Sequence, residues 1–133
     1  MNQPIEADRI DDLLIYRLSG ELSTFLLDRL KREIAVKAKN EKMFQVLLNL
    51  GDVEYITSKD LGVFVQIYRF LDDESRKSGL DKRAVLALSD LRPFVRNIIE
   101  MTRLQQVFRV FETESEAVSA LATGTDNSSP ETT

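Results

Sequence analysis

Any chemistry this chain performs or receives must run through carboxylates, hydroxyls, amines and guanidiniums. Its 133 residues include no histidine and no cysteine. That removes His–Asp dyads, Ser-His-Asp triads, phosphohistidine relays and imidazole metal sites. It also removes thiol nucleophiles, thiolate zinc sites, disulfides and thiol redox switching. The five glycines form neither a GxGxxG nor a GxxxxGK phosphate cradle. A receiver-type phospho-aspartate pocket needs paired acids after its first core strand and a lysine after its last. Here Asp11-Asp12 precede a strand, and Phe111 is followed by Glu112 and Thr113. No enzymatic activity, cofactor or metal is expected.

The step Thr57-Ser58-Lys59-Asp60 is the best candidate site. One reading is a helix cap, with Thr57 at the N-cap and Asp60 at the third helical position in the capping-box pattern. In that register Ser58 has no capping duty and faces solvent beside free backbone N–H groups. The second reading follows from this: an exposed hydroxyl at a helix start suits a phosphate acceptor, because that terminus tolerates an anion.

These residues need elements to hold them, and strand-like and helix-like runs alternate along the chain. Ile5 to Ala7 reads as a short first strand, and Leu13 to Leu18 as a second, with Asp11-Asp12 as the turn between them. Ser23 or Thr24 caps a helix whose apolar stripe is Phe25, Leu26, Leu27, Leu30 and Ile34. Phe44 to Leu50 is a third strand. Lys59 to about Arg76 is a helix apolar around most of its circumference, stopped at Ser78-Gly79. Ala84 to Leu88 is a strand. Ser89-Asp90 caps a helix carrying Phe94, Val95, Ile98, Ile99 and Met101, with Pro93 in its first turn. Val107 to Phe111 is the last strand, and Thr113 caps a terminal helix with Ala117, Val118 and Leu121. This order predicts an α/β fold: a mixed sheet of four or five strands, an antiparallel opening pair, and three or four helices.

Open α/β sheets meet ligands and partners at the loops after the carboxyl ends of their strands. Those loops hold Gly20 and Glu21, then Asp52, Glu54, Thr57, Lys59 and Asp60, then Asp90. The rim they form is predicted to be acidic, with Lys59 as its local cation, and to bind a partner.

Composition agrees with a single globular domain. The mass is 15.2 kDa, 43% of residues are hydrophobic and 30% charged, the net charge is -4 and the pI is about 4.9. An acidic chain without a basic stripe is a poor nucleic-acid binder. No apolar run reaches the length of a membrane span, and Met1 to Asp12 has neither the basic nor the apolar part of a leader. A cytoplasmic protein is expected. The domain is read as 1–122. Thr123 to Thr133 lacks any large apolar residue and is read as a disordered polar tail.

The segment Val46-Leu47-Leu48-Asn49-Leu50 through Val53-Glu54-Tyr55-Ile56-Thr57-Ser58-Lys59-Asp60-Leu61-Gly62-Val63 resembles STAS-domain proteins, particularly bacterial anti-sigma factor antagonists. Their pattern is an apolar strand ending near an acid, then a D-S-S/T-G-L-G-like step opening a helix. Leu18-Ser19-Gly20-Glu21-Leu22 resembles the family's turn after the second strand. Thr57 stands where the family usually has Asp, Lys59 where a small hydroxyl residue is common, and Asp60 where Gly is common. Leu61 and Gly62 match. The resemblance implies helices packed mainly on one side of the sheet. It implies phosphorylation of Ser58, with Thr57 as the alternative, by an anti-sigma factor that is also a serine kinase. A STAS scaffold or accessory subunit of a transporter or signalling complex, without phosphorylation, is the other reading.

Overall fold

The computed structural model describes residues 5–122. The chain runs β1 (Glu6–Ile10), β2 (Leu13–Ser19), α1 (Thr24–Glu41), β3 (Gln45–Asp52), α2 (Ser58–Ser78) and β4 (Val85–Ser89). It continues through α3 (Pro93–Met101), a 3-10 turn (Leu104–Gln106), β5 (Arg109–Phe111) and α4 (Glu114–Leu121). The five strands lie side by side in chain order. β1 is antiparallel to β2, and every other neighbouring pair is parallel.

That order fixes where the helices go. Parallel crossovers share one hand, so successive steps in one direction place α1, α2 and α3 on the same face. Strand alternation then supplies that face with Leu14, Tyr16, Leu18, Val46, Leu48 and Leu50, all buried in one core with α1, α2 and α3. The opposite face gives Leu13, Ile15, Leu47 and Ala87 to a smaller core under α4. Because both faces are covered, β2 and β3 read as continuous apolar runs.

Local chemistry sets the boundaries. Ser23 caps α1 by accepting the Leu26 N–H at 3.1 Å. Gly79, at φ 72°, ends α2 in the left-handed conformation that glycine adopts without penalty.

Several expectations shift. β1 extends to Ile10 because pairing with β2 supplies its hydrogen bonds, although its side chains are exposed and three of them, Glu6, Asp8 and Arg9, are charged. α3 starts after Arg92, which makes no side-chain cap, rather than after a Ser89-Asp90 cap. Ser89 is fully buried at the end of β4, and Asp90 sits at φ 59° accepting the Ser89 hydroxyl at 2.8 Å. Two more residues are therefore needed to turn the chain. β5 begins at Arg109 because the Val107 and Phe108 N–H groups donate to the Leu104 carbonyl, closing the 3-10 turn. α2 buries one stripe, Leu61, Phe64, Ile67 and Leu71, and its other apolar residues are only half-buried. The stretch read as a tail, 123–133, lies outside the described residues.

Candidate functional site

The carboxyl ends of β2, β3 and β4 open onto one rim, and the start of α2 stands on it. Thr57 caps α2 in both directions. Its hydroxyl accepts the Asp60 N–H at 3.2 Å, while the Asp60 carboxylate accepts the Thr57 N–H at 2.9 Å. Asp60 is only 6% exposed, so its carboxylate serves the cap rather than facing a partner. Ser58 is the first residue of α2, is exposed, and makes no side-chain hydrogen bond among the described residues. The register expected from the sequence is the one observed.

Lys59 reaches across the rim and donates from Nζ to Thr24 Oγ1 at 2.8 Å, joining the tip of α2 to the first turn of α1. Glu21 meets Tyr55 from the first loop. Its carboxylate accepts the Tyr55 hydroxyl, and this bond, reinforced by the negative charge, pushes the phenol above its ordinary pKa. Gly20, at φ 74°, extends the sheet by donating its N–H to the Asp52 carbonyl at 3.0 Å. Asp52 and Glu54 are exposed. Asp90 is half-buried against Gly51, where an added Cβ would lie 3.3 Å from the Asp90 Cβ. Arg92 then donates from Nε to the Gly51 carbonyl at 2.8 Å. The eight partner-binding candidates thus share one rim. It is less acidic than its loops suggest, because Arg92 folds onto it.

Phe25, Tyr55 and Phe94 were not among the sequence candidates. They sit in the first turn of α1, in the loop before α2 and in the first turn of α3, and are 52%, 46% and 53% exposed. The sequence reading assigned both phenylalanines to core stripes. Both lie on the outward side of a first turn whose inward side is filled by the next residue, Leu26 in α1 and Val95 in α3. The usable signal is position, since Phe25 and Phe94 are each the second residue of their helix and Tyr55 stands two residues before the Thr57 cap. Exposed aromatic side chains set among the charged groups of a rim are well suited to a protein partner. No group of acids close enough to hold a metal ion occurs among the described residues.

Behind the rim a polar network ties α4 to the sheet. Arg17 donates to both Glu114 carboxylate oxygens, at 2.9 and 2.7 Å, and to Asp8 at 2.7 Å. Asn49 donates to Glu114 at 2.8 Å and accepts the Gly51 N–H at 2.9 Å. Arg17, chiefly through that bond, holds the Glu114 carboxyl below its usual range.

Comparison with known proteins gives this arrangement a family. The anti-sigma F factor antagonist of Paenibacillus polymyxa is 25% identical over 121 residues, covering 91% of this chain and 97% of that protein. An anti-sigma-B factor antagonist of Staphylococcus epidermidis is 32% identical over 76 residues, covering 57% and 69%. The Bacillus cell fate determinant SpoIIAA, solved in its phosphorylated form, has the same fold: TM-score 0.62, 17% identity, covering 87% of this chain and 97% of that one. The family model for the STAS domain matches residues 4–117. By that match, and by a five-stranded mixed sheet whose second long helix opens on the rim, the chain belongs to the STAS-domain family.

Proposed function

We propose that this protein is an anti-sigma factor antagonist whose docking on its anti-sigma factor is switched by phosphorylation of Ser58. One observation carries the choice of residue. Thr57 and Asp60 are both committed to the cap, whereas the Ser58 hydroxyl between them is exposed and uncommitted. The relatives' names supply the partner class, an anti-sigma factor. The finer reading is that this partner is itself the serine kinase. It would bring ATP and Mg, Ser58 Oγ would bond to the γ-phosphorus as the bridging bond to ADP breaks, and a base on the partner would take the hydroxyl proton. On this reading the chain is a substrate and not an enzyme. It works in the cytoplasm without nucleic acid or membrane. No helix among the described residues is long and apolar enough to cross a membrane.

The switch is electrostatic. In the unmodified state Phe25, Tyr55 and Phe94 offer apolar contact around Ser58, flanked by Glu21, Glu54 and Lys59. A phosphate adds about -1.5 to -2 charges at the centre of a surface that must shed water to dock. The fold tolerates that charge, because an anion near a helix N-terminus is stabilised by about 0.3–1 kcal/mol.

The test is intact-mass analysis after incubation with the anti-sigma kinase and ATP, followed by titration against the partner. Ser58→Ala should abolish labelling and retain binding. Ser58→Asp should weaken binding at least about tenfold, the equivalent of 1.4 kcal/mol. Labelling that survives Ser58→Ala and disappears in Thr57→Ala moves the acceptor back one residue. No labelling, with Ser58→Asp binding like wild type, leaves the constitutive STAS scaffold.

A further inference from the structure

The charge of this chain is sorted between the two edges of its sheet. At one edge, residues 6–12 hold four carboxylates, Glu6, Asp8, Asp11 and Asp12, against one arginine, Arg9. At the other, residues 93–112 hold three arginines, Arg96, Arg103 and Arg109, against two carboxylates, Glu100 and Glu112. The strand order puts β1 and β5 at opposite ends of the sheet. They lie about 19 Å apart, four interstrand spacings of about 4.8 Å. Within one molecule the two edges cannot meet.

Part of this charge is already paired. Asp8 bonds Arg17 at 2.7 Å, Asp12 lies 3.5 Å from Lys82, Arg9 pairs with Glu41, and Arg96 lies 3.3 Å from Glu112. Glu6 and Asp11 have no ion pair among the described residues. Arg103 has none either, and Arg109 only covers the Phe111 ring, 5.2 Å from its centroid. Both edges also expose apolar side chains. Ile10 is 40% exposed on the acidic edge, and Met101 and Val107 are 74% and 36% exposed on the basic one.

The apolar parts stand at the same level. The Asp11-Asp12 turn precedes β2 at the amino ends of the parallel strands. The end of α3 and the 3-10 turn precede β5, at that same end. Ser58 and its rim are at the opposite end. β1 is an outer strand whose five side chains are all exposed, and edge strands of this kind are open to another chain.

We propose that the acidic β1 edge of one molecule docks on the basic α3–β5 edge of a second copy. The contact is heterologous, so copies add head to tail and the Ser58 rims stay free. A second copy fits better than an anionic membrane. The whole chain carries -4, which a uniformly negative plane repels, whereas a local acidic edge with Ile10 at its end is opposite in charge to the basic edge and, like it, exposes apolar side chains.

The sign of the salt effect separates this from unspecific association. Two copies of a net-negative protein repel more as salt is lowered. Complementary edges attract more. Sedimentation velocity over a concentration series should therefore show association at about 0.01 M ionic strength and monomer at about 1 M, where charges are screened beyond about 30 Å and 3 Å respectively. Two variants sharpen the test. Arg103→Glu with Arg109→Glu makes both edges acidic, and Glu6→Lys with Asp12→Lys reverses the acidic edge. Each alone should be monomeric at low salt, with unchanged circular dichroism. Mixed one to one, they should associate again, because the first keeps an acidic β1 edge and the second a basic α3–β5 edge. A wild type that stays monomeric at low salt, or variants that fail to pair when mixed, overturns the proposal and assigns the basic edge to another acidic partner. Neither result bears on Ser58 labelling.

Discussion

Two neighbouring hydroxyls at the start of α2 look interchangeable in sequence and are not interchangeable in structure. The Thr57 hydroxyl accepts a backbone N–H that the first turn cannot satisfy internally, and Asp60 returns the favour to Thr57. Removing it by Thr57→Ala should lower stability by about 1 kcal/mol, the usual loss for a capping hydroxyl. Ser58→Ala should cost less than about 0.5 kcal/mol, as at surface sites without a special role. Denaturant melts of the two variants check this order. A Ser58→Ala variant that is the less stable of the two would show Ser58 to be the cap and take away its freedom to act as acceptor. The cap was legible because it is a local pattern of four consecutive residues. The bond from Lys59 to Thr24 was not, since 35 residues separate the partners and only the packing of α1 on α2 brings them together.

At the scale of elements, alternation and breakers pointed to four or five strands and three or four helices, and five and four are observed, because periodicity and Gly, Ser and Asp punctuation are local signals. What failed was assigning faces near helix starts. Phe64 lies mid-helix over the sheet, is fully buried, and meets Phe108 edge-on at a centroid distance of 6.3 Å and an interplanar angle of 76°. Phe25 and Phe94 share its residue type but sit beside the buried stripes of α1 and α3 rather than on them, and Met101 at the far end of α3 is likewise outside. Where apolar residues are consecutive, as in Phe25-Leu26-Leu27 and Phe94-Val95, spacing does not record which of them faces the core. Phe64→Ala should therefore cost about 3–5 kcal/mol, the range for emptying a buried aromatic site. Phe25→Ala and Phe94→Ala should each change stability by less than about 1 kcal/mol while weakening the anti-sigma partner by about 1–2 kcal/mol, as truncated aromatic anchors do. Melting and titration of the three variants test the division. Strong destabilisation by Phe94→Ala would return it to the core and remove it from the docking surface.

Over the whole molecule, two buried or half-buried groups on opposite faces of the sheet set opposite pH limits. On the α4 face, Arg17 holds the Glu114 carboxyl below its ordinary 4.5, with Asn49 adding a further hydrogen bond against the cost of burial. A carboxyl lowered in the folded state contributes stability above the unfolded pKa and loses it as pH falls through the folded one. Stability should decline below about pH 4.5, starting with the docking of α4. On the α1 face, burial first and the Glu33 charge second push the Tyr16 phenol up to about 12 from 10.0. The sign is reversed. The folded chain retains this proton, so the contribution is whole below pH 10.0 and is lost as pH rises toward about 12. Chemical denaturation across pH should give a plateau between these limits. Glu114→Gln should flatten the acid decline at the expense of lower stability at neutral pH, because the Arg17 pair becomes a neutral hydrogen bond. Tyr16→Phe should keep the neutral plateau within about 1.5 kcal/mol, as shape-conserving core changes do, and move the alkaline decline upward. An alkaline limb identical in wild type and Tyr16→Phe would mean that the tyrosine reaches solvent before it ionises.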